Sequence, residues 1–361
     1  MITTLTLTNF RNHKSARIST GDARHIIVHG ANGAGKTNIL EAISFFAPGT
    51  GLRSAEPADI PGFGTADGFG VHAELASGDT IATASGRGVK INGEASDFAA
   101  LSRIIKPIWL TPREDGLFYG AASDRRIFFD HLIGTFSPGH ITHLAQYTKL
   151  MAERGAALRV GADDNWLGAI EENLAGAAAA IAAERVKYAA ELNHFFGEEN
   201  EFGANALTLS GWLEDRFVAG ASTGEIETEW RKYLADNRVL VSGRQIFDGT
   251  HRTDFLVLNI GLNRPAHLCS TGQQKMILLS LALSHSRLVR ALTGVAPIIL
   301  LDEVGAHLDT DALARFLSAL EKLGVSVWMT GVSDEAFFAL PSTFFIKVPF
   351  AGEGVPPQAA G

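Results

Sequence analysis

Residues 25–46, HIIVHGANGAGKTNILEAISFF, pass from an apolar strand through a glycine-rich turn into a helix. The turn GANGAGKT fills the pattern G-x-x-x-x-G-K-[ST] with Gly30, Gly35, Lys36 and Thr37, in the strand–turn–helix setting the motif requires. Glycines let backbone N–H groups close on phosphate oxygens, and the start of a helix adds partial positive charge. The stretch therefore predicts a nucleoside triphosphate site. Gly30, Ala31, Asn32, Gly33, Ala34 and Gly35 would cradle the phosphates, with Asn38 in the same contact set. Lys36 would reach the β- and γ-phosphates and serve catalysis, and the Thr37 hydroxyl would ligate Mg²⁺.

A second stretch, PIILLDE, reads as a buried strand ending in two acids. Beside a P-loop, Asp302 is placed to hold the Mg²⁺ shell and Glu303 to orient and deprotonate an attacking water. Upstream of it, CSTGQQKMILLSLAL opens a helix with Ser270, Gly272 and Gln273. This resembles the ABC-type signature L-S-G-G-Q, with Cys269 and Thr271 replacing its first and third positions. The resemblance implies a serine-capped helix start that reaches the γ-phosphate of a second subunit, in a head-to-tail dimer holding two nucleotides. Asp309, in HLDTD, stands at the place of the ABC D-loop and joins that set in trans.

The chain's 361 residues and 46% hydrophobic content suit one large domain or two modest ones. The opening MITTLTLTNFRNHK reads as an alternating strand rather than the h-region of a secretory signal, and the apolar runs MILLSLAL and VAPIILL fall short of the roughly 20 residues that cross a bilayer. The single cysteine, Cys269, excludes an internal disulfide framework, and cytoplasm is the expected location, with no membrane partner. A net charge of −8 weighs against nucleic acid, although a local basic patch can act on an acidic body.

Along the chain, TLTLTNF and RHIIVH read as strands, and GFGVHAELASGDTIATASGRGVKINGE as a β-meander. Texture changes near Ser123, where Ser123 or Asp124 suits a helix N-cap. Apolar residues from Ile141 to Leu158, and again from Ile170 to Phe195, keep helical spacing and predict a helical hairpin, its second stripe interrupted at Glu184. Strand and helix then alternate through THRTDFLVL, the signature helix, PIILLDE, DALARFLSALEKLG, VSVWMTG and TFFIKV. The predicted fold is α/β: an ABC-type ATPase head with a P-loop mixed sheet, residues 1–122 and 245–350, and an inserted α-helical lobe, residues 123–244. Residues 351–361 are expected to form a flexible tail.

The order of motifs resembles the RecF family of bacterial recombination mediators nearly end to end. The likeness runs through Phe10-Arg11-Asn12, the P-loop, GLRS, TPRED, Arg125-Arg126 with Asp130, and His251-Arg252-x-Asp254, then the signature, LLDEV and MTG. Thr250 replaces a usual proline, Thr50 an arginine of many relatives, and Arg113 separates Pro112 from Glu114. The resemblance implies an SMC-like, slow Mg-dependent ATPase that uses ATP hydrolysis as a switch. It also implies DNA repair at gapped or junction DNA, with RecO and RecR as partners and RecA loading as the outcome. Arg11, Arg53, Arg113, Arg125 and Arg126 are the candidate phosphate contacts. A transporter nucleotide-binding subunit is the main alternative, disfavoured by the long interval between P-loop and signature and by VWMTGVSD, which lacks a switch histidine. A related nuclease would need an acidic C-terminal module for which few residues remain. An ATP-binding scaffold with vestigial hydrolysis stays open, although Glu303 is present.

Overall fold

The computed structural model describes residues 1–55, 59–61, 68–86, 88–198, 202–241, 244–245, 247–303, 310–331, 343–348 and 358–359. They divide into two compact units, the first of residues 1–116, 200–202 and 270–361, the second of 117–199 and 203–269.

In the first unit a six-stranded sheet runs in the order Gln358–Ala359, Thr343–Lys347, His25–His29, Ser326–Gly331, Ile298–Leu301, Pro107–Leu110. The last five are parallel to one another and Gln358–Ala359 is antiparallel, so the sheet is mixed. Parallel strands covered on both faces must be apolar throughout. That is why IILL at 298–301 and IIV at 26–28 show no alternation and are wholly buried. Parallel pairing also carries five carboxyl ends to one edge, where ligands bind in sheets of this kind.

The expected meander is a second, antiparallel sheet, ordered His13–Ser19, Ile2–Phe10, Gly70–Leu75, Thr80–Ala84, Val89–Ile91, Glu94–Ser96. The helix Lys36–Ser44 touches both sheets and sends Ile39, Leu40 and Ile43 into a core shared with each. Phe10, Phe45 and Phe69 meet edge to face there, with ring centroids 5.4–5.8 Å apart. Burial on both sides fixes this helix, and with it the loop at its start.

The helix Thr271–Thr293 has 23 residues and a window of mean hydropathy 1.2, long and apolar enough to cross a membrane where the separate runs read as too short. Two observations make it a core helix: 67% of that window is buried, and Ile277, Leu278, Leu281 and Leu288 lie inside the unit. Of the expected flexible tail, Gln358–Ala359 pair with Ile346 and Lys347, and its other residues lie outside the described set.

In the second unit, the helix Ala122–Phe136 starts one residue before Ser123, on Ala121, with no side-chain cap. Asp124 lies in the first turn instead, where a carboxylate still favours the helix dipole. The hairpin follows: Pro138–Arg159, with proline at its first turn, and Asp164–Phe196, capped by Asp163 through the N–H groups of Asn165 and Trp166. Glu184 does not interrupt the second stripe, because its carboxylate turns inward to His140 and Ser137. The sequence reading missed the strand Asn205–Ser210 and the helices Trp212–Val218 and Thr223–Asp236. Asn205–Ser210 pairs with Asp254–Asn259, which in turn pairs with Arg264–Pro265, and this sheet draws residues up to Cys269 into the second unit, beyond the expected boundary at 244.

Charge as well as apolar packing holds this unit together. Arg185, fully buried, makes a bidentate pair with Asp130 at 2.9 and 2.7 Å, and donates to the Thr250 carbonyl at 2.7 Å. Glu214 lies 3.3 Å from the same guanidinium, and His140 contacts Asp130 at 2.9 Å. Burial by itself would raise the Asp130 carboxyl, but Arg185 and His140 reverse the balance and hold it below the usual range. Removing the cation strands two buried carboxylates, and breaking such a pair costs about 3–5 kcal/mol. Arg185→Met is therefore expected to lower unfolding free energy by about that much in a urea titration, and a loss below about 1 kcal/mol would contradict this role.

Candidate functional site

The candidate site lies at the carboxyl edge of the mixed sheet, within the first unit. His29 ends its strand and Gly30 turns out of it with φ 144°, where a Cβ would come 2.7 Å from the Val348 carbonyl oxygen. Gly35 adopts φ 95° at the helix start, and a Cβ there would meet the Asn12 side chain at 2.3 Å. Gly30 thus needs glycine for both conformation and space against the Val348 backbone, and Gly35 for its left-handed conformation. Asn12 itself donates to the Ala34 carbonyl at 3.1 Å and accepts from Asn38 at 2.7 Å. His13 sets Nε2 3.5 Å from the Gly35 carbonyl, and burial holds its imidazole below the ordinary range, partly offset by that contact. The turn joining the first two strands is therefore a brace for the loop. Asn38 serves this brace, a role the motif alone does not reveal.

Lys36 Nζ donates to the carbonyls of Gly30 and Ala31 at 2.8 and 3.2 Å. The ammonium thus lies over the loop whose bound phosphates it would neutralise. Thr37 Oγ1 donates to Asp302, 2.9 Å from Oδ1 and 3.1 Å from Oδ2. Between the two strands that deliver these residues runs Ser326–Gly331, and its Thr330 hydroxyl donates to Asp302 Oδ1 at 2.7 Å. The same hydroxyl accepts the Glu303 N–H at 2.8 Å. Glu303 holds φ 52° and an exposed side chain, a left-handed backbone that non-glycine residues adopt at a cost. Thr330 went unread in the sequence. Its signal is a threonine closing an otherwise apolar strand, because a buried hydroxyl needs a partner.

A hydroxyl and a carboxylate meeting within 2.9 Å are hard oxygen donors suited to Mg²⁺. No group of three or more His, Cys, Asp or Glu able to hold a metal exists among the described residues. At nucleotide sites Mg²⁺ usually draws further ligands from phosphates and water.

Ser270 caps the helix Thr271–Thr293 through a capping box: its Oγ accepts the Gln273 N–H at 3.3 Å, and Gln273 Oε1 accepts the Ser270 N–H at 2.9 Å. This uses the acceptor side of the hydroxyl and leaves its proton available to a phosphate oxygen. Ser270, Thr271 and Gly272 are exposed, and among the described residues no hydrogen bond joins residues 270–273 to the P-loop. Asp309 lies outside the described residues.

Four of the five candidate DNA arginines have internal partners. Arg11 forms a bidentate pair with Glu41, fully buried, at 2.9 and 2.6 Å, and Arg53 reaches Asn38 at 2.8 Å and Glu41 at 3.4 Å. Arg125 forms a bidentate pair with Asp254 at 2.7 and 2.9 Å, and Arg126 donates to the Thr253 carbonyl at 2.8 Å. A guanidinium taken by a carboxylate must break that pair to take a phosphate. Only Arg113 has an exposed side chain with no side-chain partner among the described residues.

Residues 4–80 match the family model described as AAA domain. The chain is 39% identical over 352 residues to a DNA replication and repair protein RecF of Brucella suis, covering 93% of this chain and 91% of that one. It is 40% identical over 355 residues to the protein of the same description from Mesorhizobium japonicum, covering 94% and 93%. Among solved structures, the recombination mediator protein RecF with ATPrS superposes with a TM-score of 0.83 at 21% identity, covering 100% of this chain and 98% of that one. An SMC head bound to the C-winged helix domain of ScpA follows the fold at 0.51 and 14% identity, covering 99% and 96%.

Replacing Thr330 by valine keeps its shape and removes both of its hydrogen bonds at the acidic pair. Thr330→Val should lower ATP turnover by about 10- to 100-fold, the scale of losing a hydrogen bond to a charged group, with nucleotide affinity within about threefold. Steady-state hydrolysis beside a fluorescent-nucleotide titration checks it; wild-type turnover would remove Thr330 from the site.

Proposed function

The chain belongs to the RecF family of DNA replication and repair proteins, and from that premise we propose that it is an ATP-gated DNA-binding dimer of recombinational repair. One observation carries this reading: Thr37, Asp302 and Thr330 converge on one edge of the sheet, while the Ser270 helix end stands exposed on the same unit. The P-loop amides and Lys36 would hold the triphosphate. Thr37 and Asp302 would hold Mg²⁺, which when bound offsets phosphate charge. Glu303 would orient the attacking water and accept its proton, a role that supplies typically 10²–10⁴-fold in rate.

Ser270, with Gly272 and Gln273, would donate to the γ-phosphate held by a second copy, and Asp309 would stand beside that seam. A ligand gripped from both sides stabilises the pair by linkage, and its hydrolysis removes the bridge. The protein would then be a slow ATPase in which hydrolysis serves release. DNA would be bound in the ATP state, at gaps or single-strand/double-strand junctions in the cytoplasm, with RecO and RecR as partners in loading RecA. Arg113 is the arginine free to meet phosphate directly; Arg11, Arg53, Arg125 and Arg126 would shape the surface through their internal pairs. A transporter subunit is disfavoured, since the insert between P-loop and signature is a separate compact unit with its own apolar core.

Glu303→Gln should bind ATP normally, hydrolyse it about 10²–10⁴-fold more slowly and remain a dimer on gapped DNA for as long as ATP is present. Lys36→Ala in the same sedimentation assay should give neither dimer nor DNA retention, because it removes the charge-assisted contacts that hold the phosphates. Rapid dissociation of Glu303→Gln in excess ATP, or an ATP-dependent dimer of Lys36→Ala, would refute the proposal.

A further inference from the structure

Lys275 lies five residues beyond the Ser270 cap on the helix Thr271–Thr293, and its side chain is 11% exposed. Its ammonium is 3.3 Å from both oxygens of Asp115. Asp115 belongs to the 3₁₀ turn Pro112–Gly116, which continues from the sheet strand Pro107–Leu110. That strand carries the Leu110 carbonyl, which accepts the Asp302 N–H at 2.9 Å. Within the turn, Glu114 accepts from both the N–H and the hydroxyl of Thr111 at 2.7 Å, so the segment from Leu110 to Asp115 is internally braced.

These parts enclose one small cavity. Glu114, Asp115, Lys275, Leu278, Asp302 and Glu303 are among its walls, and its volume is ≈ 10 Å³, about the threshold for one water. So little slack means that a shift of the helix end is passed on as movement rather than absorbed. Among the described residues, four carboxylates face this space and Lys275 is the one cation with them. Moving it alters both the packing and the electrostatic balance beside Asp302 and Glu303. The helix that would touch a partner's γ-phosphate through Ser270 is thus tied by the Lys275–Asp115 ion pair to the segment whose Leu110 carbonyl holds Asp302.

We propose that Lys275 is a positioning residue that couples the two ATP sites of the dimer, relaying engagement of Ser270 with the partner's nucleotide through Asp115 to Asp302 and Glu303 of its own chain. This rests on the head-to-tail dimer proposed above. Hydrolysis is then cooperative in ATP, because each site is set for reaction by the filling of the other.

The test compares the full-length wild type with Lys275→Gln, Lys275→Arg and the charge exchange Lys275→Asp/Asp115→Lys. ATP-driven dimerisation is followed by sedimentation and turnover by steady-state kinetics. Wild type should dimerise and give a Hill coefficient above 1. Lys275→Gln should still dimerise with a half-saturating ATP concentration within about twofold, while kcat falls about tenfold and the Hill coefficient falls below the wild-type value toward that of linked dimerisation alone. Lys275→Arg and the charge exchange should recover cooperativity. The coupling is overturned if Lys275→Gln keeps wild-type kcat and cooperativity, if neither charge-retaining variant exceeds it, or if wild-type hydrolysis is non-cooperative. A wild type that dimerises with unchanged Lys275→Gln kinetics removes the coupling alone, whereas one that stays monomeric in ATP overturns the dimer as well.

Discussion

A hydroxyl at the head of one helix donates to a carboxylate at the end of a strand 265 positions away, and the nucleotide site depends on that contact. Thr37 and Asp302 meet because parallel pairing delivers both to one edge, with the strand Ser326–Gly331 between them. Thr330 on that middle strand then fixes the carboxylate and the backbone of Glu303 together. The helix behind the P-loop cannot drift, since two sheets bury it and Glu41 at its centre is held by Arg11 and Arg53. The acidic pair and the phosphate cradle are therefore one rigid arrangement, and a site of this kind works by holding its donors in place before the ligand arrives.

Much of this is legible along the chain, because P-loop chemistry is local. GANGAGKT announces its turn through glycines whose positive φ at Gly30 and Gly35 strains other residues, and IILL and HIIVH announce a doubly covered sheet by their lack of alternation. Thr330 is less visible, since one threonine at a strand end does not say which carboxylate it faces. Asn12 and His13 are harder still: their partners lie in the loop between Ala34 and Asn38, and only the folded hairpin brings them there. Residues 205–236 escaped for a different reason. The short strand Asn205–Ser210 is stabilised by pairing with Asp254–Asn259 rather than by any strong pattern of its own.

The arginines show where residue type says least about the partner. Arg11, Arg125 and Arg126 sit in stretches that resemble the family's own motifs, and on a chain expected to meet DNA they invite a phosphate reading. The structure gives Arg11 and Arg125 carboxylate partners and Arg126 a backbone carbonyl. A guanidinium's fork fits a carboxylate as well as a phosphate, and nothing in the linear order distinguishes the two. Asp130 and Asp254, matched by the same motifs, prove to be the other halves of such pairs, with Arg185 and Arg125. In the second unit, recurring charged residues thus hold the fold together.

The head-to-tail arrangement can be tested most directly by mixing two inactive variants. Lys36→Ala spoils the cradle of its own chain and keeps a good Ser270 helix end; Ser270→Arg does the reverse. If the two halves of a site come from different copies, the mixed dimer contains one site with both defects and one site that is wholly intact. ATP hydrolysis should then reappear on mixing, clearly above either silent variant but below half the wild-type rate per mixed dimer, because the intact site faces an empty twin. If mixtures stay as silent as their components, while both variants remain folded, cradle and capped helix do not act across two copies.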